Sequence, residues 1–238
     1  MLFSSITFLF AFLALVLILY FIVPRKLKNP VLLIFSLVFY AWGEAVYIVL
    51  MLASIAVAYI TGVFADRKRE NASKHGPFFA LLFAIIWNMG LLFFFKYTDF
   101  FISNANSMFG FSIKLLGLTL PIGISFYTFQ SAAYILDLYR NKIDADQNIL
   151  KFALFMSFFP QIVQGPIARH DQLANQLYEG HDFKYTNLTH GAQLILWGFF
   201  KKLVIADRVA ILVTEVFDNY TEYSGSIVLA ALLFYMIQ

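Results

Sequence analysis

A predicted helix within residues 121–140 carries a stripe of polar side chains on one face. At the helical spacings i, i+3, i+7 and i+10, the stripe consists of Tyr127, Gln130, Tyr134 and Asp137. One interpretation is the lining of a substrate passage; the alternative is hydrogen bonding between helices, with Asp137 paired to Arg140. In both cases we expect the stripe to face protein or a cavity, because lipid would penalise the carboxylate by a few kcal/mol.

A second candidate segment is FFPQIVQGPIAR at residues 158–169, where prolines and a glycine surround two glutamines. Proline removes a backbone donor and glycine permits close approach, so we expect regular helix to break here. The short apolar block 149–164 favours a re-entrant or broken element, which requires surrounding protein or a water-filled cavity. Gln161, Gln164 and Arg169 are then candidates for binding substrate or lining a tunnel, and a loop at the membrane surface is the alternative.

Charged side chains also lie inside the apolar block that surrounds residues 196–208. Lys201 and Arg208 are one heptad apart, which places them on the same face of an α-helix. A helix lying in the headgroup plane, with its lysines reaching the water, explains this pattern. A site for an anionic donor such as a nucleotide phosphate is the alternative.

Histidine offers little evidence for a reactive centre. The polar stretch 169–190 contains His170, His181 and His190, and we interpret it as a solvated loop. The spacing does not match HExxH or a similar ligand pattern, so no metal site is predicted. The chain also lacks a P-loop, the G-x-S-x-G and G-x-G-x-x-G patterns, and an acyltransferase His-x4-Asp pair. Residue chemistry alone therefore indicates no catalytic residue.

The composition is that of an integral membrane protein. Of the 238 residues, 61% are hydrophobic and 13% are charged, against about 25% charged in soluble proteins, and the mean hydropathy is +0.76. The net charge is +3, and the basic residues lie mostly in loops rather than in one dense patch. This distribution argues against a nucleic-acid partner. The absence of cysteine excludes disulfides, thiolate metal sites and cysteine nucleophiles.

Apolar blocks predict the membrane elements, and basic residues predict their orientation. The blocks are 2–23, 31–64, 78–95, 100–120, 121–139, 149–164, 191–213 and 225–238. Block 31–64 is too long for one straight span, so we expect a turn at Trp42-Gly43-Glu44. The basic residues at 25–28 and 67–74 place both loops in the cytoplasm and the N-terminus outside. We expect residues 97–120 to form an outer loop or interfacial helix.

The last apolar run, 225–238, has 14 residues, whereas a transmembrane helix needs about 20. We therefore expect residues 1–238 to be the N-terminal part of a single transmembrane domain in a longer protein. The predicted fold is an all-α, polytopic transmembrane helix bundle that is incomplete at its C-terminus. A C-terminal hairpin arm or an interfacial segment is the alternative for this run.

Seven stretches in order resemble the membrane-bound O-acyltransferase (MBOAT) family, in particular its alginate O-acetyltransferase and teichoic-acid D-alanyl transfer branch. These stretches are MLFSSITFLF at 1–10, FYAW at 39–42, FKYTDFF at 95–101, LPIGISFYTFQ at 120–130, DLYR at 137–140, FFPQIVQGPIAR at 158–169 and GFFKKLVIADR at 198–208. They extend over nearly the whole chain. The likeness to the alginate type is the stronger one.

The resemblance implies a multi-helix bundle around a funnel, in which an acetyl or similar short acyl group moves to a hydroxyl of an exported or cell-wall polysaccharide. The implied donor is acetyl-CoA or another acyl thioester, with no bound cofactor, and a second acyl-transfer protein is a potential intermediary. The implied location is multi-pass in the bacterial cytoplasmic membrane. The family's catalytic histidines belong to motifs that follow a YFDFSGYSDMAIG-like helix, and none of the histidines here stands in such a context. The resemblance therefore implies that this chain alone is inactive.

Two other functional classes are compatible with these residues. A truncated, non-catalytic homologue could act as a membrane partner or export scaffold. Broken helices at membrane depth are also found in small transporters, although no inverted repeat is visible.

Overall fold

The computed structural model describes residues 3–70, 75–163 and 165–237, and these residues form helices and connecting segments without any strand. Helix α1 spans Thr7–Ile22 and is π-helical over Thr7–Leu13. The following helices are α2 (Arg25–Gly43), α3 (Ile48–Glu70), α4 (Gly76–Phe109), α5 (Ile124–Tyr139), α6 (Ile149–Ser157), α7 (Phe159–Ile162), α8 (His170–Glu179), α9 (Tyr185–Phe199), α10 (Asp207–Asp218) and α11 (Gly225–Ile237). A π-helical turn, Phe200–Ala206, joins α9 to α10.

The predicted turn in the long apolar block 31–64 is confirmed. Helix α2 ends at Gly43, and Glu44 leaves the helical region with φ −150° and ψ 72°. Helix α3 begins four residues later at Ile48. Pro24 separates α1 from α2 in the same way, because its extended backbone precedes the first helical residue. The helical path of the chain is therefore interrupted twice within its first 48 residues.

The separate element predicted for residues 97–120 is wrong over its first half. Helix α4 continues to Phe109 and ends at Gly110, whose φ of 68° permits the left-handed cap. The asparagines in this stretch do not break the helix because they bond locally; the Nδ2 of Asn104 donates to the carbonyl of Phe100 at 2.7 Å. Residues 110–120 are irregular and fold back along α4, where Asp99 accepts backbone N–H groups from Leu116 and Gly117.

Among the residues that the structure describes, two helices are long and apolar enough to cross a membrane. They are α3, over Ile48–Arg69, and α4. Both present large apolar side chains outward, such as Ile60 and Phe79 with exposures of 63% and 61%. An apolar outer surface of this kind is what a lipid-facing helix requires.

The chain divides into two compact units, residues 1–181 and 182–238. In the first unit, α3, α4 and α5 pack against one another, and α6 packs against α2 and α3. The Nδ2 of the buried Asn88 joins α4 to α5 by donating to the Ser131 hydroxyl at 3.0 Å. A cluster of phenylalanine rings joins α1, α2 and α7, and it consists of Phe8, Phe12, Phe39 and Phe159.

In the second unit, α10 packs against α11, with the rings of Phe217 and Tyr235 6.3 Å apart. The prediction that Lys201 and Arg208 share a face assumed α-helical spacing, and this spacing does not hold across the π-helical turn. Lys201 instead places its ammonium group 5.5 Å from the ring centre of Trp197. Lys202 forms an ion pair with Asp207 at 3.2 Å.

One glycine of the first unit fixes how closely two elements approach. Gly123 precedes α5 with a φ of 73°, and a Cβ atom at this position would overlap with the carbonyl oxygen of Ile162 on α7. A side chain at residue 123 is thus opposed both by the backbone conformation and by the contact. This close approach places the start of α5 directly against α7.

We expect Gly123→Ala to destabilise the first unit, because the added methyl group must displace backbone atoms of α7. The expected loss is roughly 1–3 kcal/mol, measured as a lower midpoint of thermal unfolding in detergent. Gly90→Ala is the matched control, since a Cβ on this α4 residue meets no atom within 4 Å. An equal midpoint for the two variants would contradict the proposed tight contact.

Candidate functional site

The predicted polar stripe of α5 faces the protein interior. The exposed fractions of its four members are 0%, 6%, 2% and 7%, for Tyr127, Gln130, Tyr134 and Asp137. Hydrophobic neighbours on the same helix, such as Phe129 at 44%, point outward instead. The periodicity of the sequence therefore identified the buried face of the helix correctly.

Two members of the stripe make hydrogen bonds to the protein itself. The Nε2 of Gln130 donates to the carbonyl of Phe155 on α6 at 3.2 Å. The hydroxyl of Tyr134 accepts the backbone N–H of Asp146 at 3.1 Å. These contacts connect α5 to α6 and to the segment that precedes α6, which agrees with the inter-helix interpretation for these two residues.

The expected partner of Asp137 is corrected by the structure. Its carboxylate lies 3.7 Å from the Nζ of Lys142, rather than pairing with Arg140. Arg140 caps the helix, and the chain then turns at Asn141, whose φ is 56°. This turn brings residue 142 back, and its backbone N–H donates to the carbonyl of Asp137 at 3.0 Å.

Tyr127 differs from the rest of the stripe because its hydroxyl has a second buried phenol, that of Tyr40 on α2, as its neighbour. Neither hydroxyl makes a well-formed hydrogen bond to any other described residue. Glu44, at the end of α2, acts electrostatically on both. Tyr40 was not identified from the sequence, because one tyrosine in an apolar helix gives no distinguishing signal.

Residues 147–163 and 165–169 belong to a hairpin whose helix is broken, and the predicted break is confirmed. Asn148 caps α6 by accepting N–H bonds from Leu150 and Lys151. The helix stops at Phe158, and α7 begins where the N–H of Phe159 donates to the Ser36 hydroxyl on α2 at 3.2 Å. The two ends of the hairpin meet again at Asp146 and His170, so the chain leaves on the side from which it entered.

The predicted site residues within the hairpin occupy different places. Gln161 lies on α7 at its tip, and its Oε1 is buried without a hydrogen-bond partner among the described residues. Arg169 is exposed at the base, where its backbone forms the N-terminus of α8. Gln164 lies outside the described residues. Gln161 is partly exposed as a whole residue, and its Oε1 is the part that lies in the interior.

A partly buried polar cluster at the base of the hairpin was missed in the sequence. The Nε2 of His170 lies 2.7 Å from Oδ2 of Asp146, and the hydroxyl of Tyr178 donates to the same oxygen at 2.8 Å. The His170 ring also packs against the rings of Tyr134 and Phe155, with centroids 5.2 and 5.0 Å away. We call Asp146, His170 and Tyr178 the basal cluster.

The electrostatics of the basal cluster favour its present hydrogen bonding. Burial, and then the neighbouring Asp146 carboxylate, raise the pKa of Tyr178, so its hydroxyl remains a donor. Because a carboxylate accepts only, the His170 ring must carry its proton on Nε2. The cluster therefore stabilises the junction between the hairpin and α8.

The interpretation of residues 169–190 as a solvated loop is wrong for residues 170–179, which form α8, and for residues 185–190, which begin α9. Helix α8 buries Ala174 and Leu177 against the core, and His170 is its first residue. The spacing of Leu173, Ala174 and Leu177 is that of an amphipathic helix and could have predicted it. No group of three metal-ligating side chains occurs among the described residues.

We expect His170→Ala to loosen the hairpin, because it removes one donor from Asp146 and leaves a cavity among the surrounding rings. The expected cost is about 1–3 kcal/mol, together with faster amide hydrogen exchange in α6 and α7. His190→Ala is the control, since His190 is exposed on α9. Unchanged exchange in α6 would contradict a stabilising role for the basal cluster.

Comparison with known proteins identifies relatives over nearly the whole chain. The chain is 34% identical to a peptidoglycan O-acetyltransferase of Helicobacter pylori, over 94% of this chain and 48% of that protein. It is 35% identical to a probable alginate O-acetylase AlgI of Pseudomonas syringae pv. tomato, and 34% identical to that of Pseudomonas aeruginosa. Both of these alignments cover 98% of this chain and 45% of the relative.

No protein-family profile and no solved structure matches the chain. The chain spans about half the length of the curated relatives it matches. Identity of 31–35% over almost every residue is nevertheless sufficient to establish homology with these proteins. The relatives are MBOAT-type acetyltransferases by name, and the resemblance to this family found in the sequence is confirmed over about half of their length.

Proposed function

We propose that this chain is part of a multi-pass membrane enzyme that transfers an acetyl group to hydroxyls of an exported or cell-wall polysaccharide. The observation that carries the proposal is the 34–35% identity, over 94–98% of the chain, to relatives named for acetylating peptidoglycan or alginate. The proposed donor is acetyl-CoA or another acyl thioester, reaching the protein from the cytoplasm.

The described residues support this proposal through three features. Helices α3 and α4 can cross a bilayer, and the stripe of α5 provides polar groups in the interior of an apolar bundle. The hairpin brings α7 and the Oε1 of Gln161 into the same interior. Polar groups in an otherwise apolar interior are typical of a passage for a polar substrate.

The proposed acetylation is tested by comparing the native bacterium with a strain in which the gene is deleted. Acetate released by mild alkali from isolated peptidoglycan, and separately from exported polysaccharide, measures the O-acetyl content of each acceptor. We expect one of the two to lose O-acetyl groups in the deletion strain and to recover them with the complete gene. Equal acetate release from both materials in the two strains would refute the proposal.

We also expect residues 1–238 alone to leave the O-acetyl content of that strain unrestored. The proposed reason is that the histidines of this chain do not stand in the catalytic contexts implied by the family resemblance. Loss of a general base costs about 10²–10⁴ in rate. Restoration by residues 1–238, at a level comparable with the complete gene, would overturn this expectation.

The proposed topology has α4 running from the cytoplasm to the outside of the cytoplasmic membrane. Since the chain has no cysteine, single-cysteine variants can be labelled without background. We expect a membrane-impermeant maleimide to label Ser112→Cys in intact spheroplasts and His75→Cys only after permeabilisation. Both wild-type residues are exposed, on the loop after α4 and at its start. The reverse labelling pattern would invert the topology.

A further inference from the structure

The neighbouring ends of α3 and α5 carry three exposed cations. Arg67 and Lys68 lie in the last turn of α3, and Arg140 follows the last residue of α5 as its cap. All three residues are exposed, and none of them forms an ion pair with a described residue. We call Arg67, Lys68 and Arg140 the cationic rim.

A guanidinium group fixes the two helix ends to each other. The Nη1 of Arg69 donates to the Oδ1 of Asn141 at 3.2 Å, and its Nη2 donates to the Oδ1 of Asp144 at 2.6 Å. Since Asn141 and Asp144 follow α5, these bonds join the last turn of α3 to the loop beyond α5. The cationic rim is therefore a built surface rather than two independent helix ends.

The carboxylates beside the cationic rim are already paired. Asp66 and Asp144 each place an oxygen 2.6 Å from the Nη2 of Arg69. The carboxylate of Asp137 lies 3.7 Å from the Nζ of Lys142. The positive charge of the rim is thus uncompensated among the described residues, and a surface of this kind attracts an anionic partner.

Exposed aromatic rings lie next to these cations. The Nζ of Lys68 is 5.5 Å from the ring centre of Phe64, which is 45% exposed. The ring of Phe78, at the start of α4, lies 6.5 Å from that of Tyr139, the last residue of α5, and both rings are largely exposed. Aromatic rings at the headgroup level, with cations reaching toward the water, are typical of a bilayer interface. The combination fits a partner with an anionic and an apolar part.

We propose that the cationic rim binds the phosphate headgroup of an anionic phospholipid, with the adjacent rings packed against its upper acyl chain. This surface goes beyond the proposed acetyl transfer and rests only on the insertion of α3 and α4 in a membrane. In the proposed topology the lipid belongs to the cytoplasmic leaflet. The loop after Arg140 continues to Asp146 of the basal cluster, so a bound lipid also holds the start of the hairpin.

The test measures how tightly the complete native gene product, purified in a neutral detergent, retains phosphatidylglycerol in native mass spectrometry. Phosphatidylcholine with the same acyl chains is the probe without net charge. We expect tighter binding of phosphatidylglycerol to the wild type. The double variant Arg67→Gln/Arg140→Gln should weaken this binding on the order of 30-fold at low ionic strength, because each cation near an anionic headgroup contributes about fivefold.

Lys96→Gln/Lys114→Gln is the matched control, because it removes the same charge from exposed residues on the outer part of α4 and on the loop after it. We expect it to bind phosphatidylglycerol like the wild type. Arg67→Lys/Arg140→Lys keeps both charges and should retain most of the affinity. Thermal unfolding verifies that each variant is folded.

Amide hydrogen exchange in nanodiscs locates the bound lipid on the protein. We expect peptides that contain residues 139–145 to exchange more slowly when phosphatidylglycerol is added to phosphatidylcholine nanodiscs. Peptides from residues 110–117 should exchange equally in both. The slower exchange should disappear in Arg67→Gln/Arg140→Gln and at high salt, which screens exposed charges.

The outcomes separate this surface from its alternatives. Equal loss of affinity in the two glutamine double variants, or unchanged exchange in residues 139–145, refutes the cationic rim as a lipid site. Acetyl-CoA that produces the same protection in phosphatidylcholine nanodiscs and displaces phosphatidylglycerol assigns the rim to a soluble phosphate and overturns the lipid. A wild type that binds phosphatidylglycerol here but transfers no acetyl group refutes the proposed function and leaves this surface established.

Discussion

The hydrogen bond between His170 and Asp146 joins two residues that are 24 positions apart in the chain. Helix α6, the break at Phe158 and α7 lie between these two residues, so the bond holds together the two ends of the segment that contains them. Tyr178 binds the same carboxylate oxygen, so α8 is fixed by the contact that closes the hairpin. The position of α7 in the interior thus depends on a polar cluster at the opposite end of the hairpin.

The interior contains two kinds of polar group, and the contrast between them is informative. Asn88, Gln130 and Ser36 each form a hydrogen bond that connects two elements. These bonds hold the bundle together where apolar packing alone is weakly directional. Tyr40 and Tyr127 are buried equally well, and their phenols act on each other without a well-formed hydrogen bond to a further element. The first group therefore connects elements by directional bonds in a way that the tyrosine pair does not.

Features governed by local spacing could be predicted from the sequence. The buried face of α5 followed from a 3.6-residue period, and the breaks at Trp42-Gly43-Glu44 and before Pro160 followed from known breakers of helices. The continuity of α4 could not be predicted in this way, because Asn104 looks like a loop residue until its local bond to Phe100 is known. Asp146 and Tyr40 were missed for a different reason. Their partners lie far away in the sequence, and no periodicity relates them.

The length of α4 has a geometrical consequence for the proposed membrane protein. Its 34 residues extend about 51 Å, whereas the hydrocarbon core is roughly 30 Å thick. An upright α4 would therefore stand about 20 Å clear of the hydrocarbon, at the end where Asp99 ties residues 116 and 117 to its side. The projecting turns and the returning loop form one stalk, so shortening either alone would pull α5 out of register with its neighbours. In the proposed topology this stalk lies on the outer side of the membrane, where it would set the height at which the protein meets its surroundings.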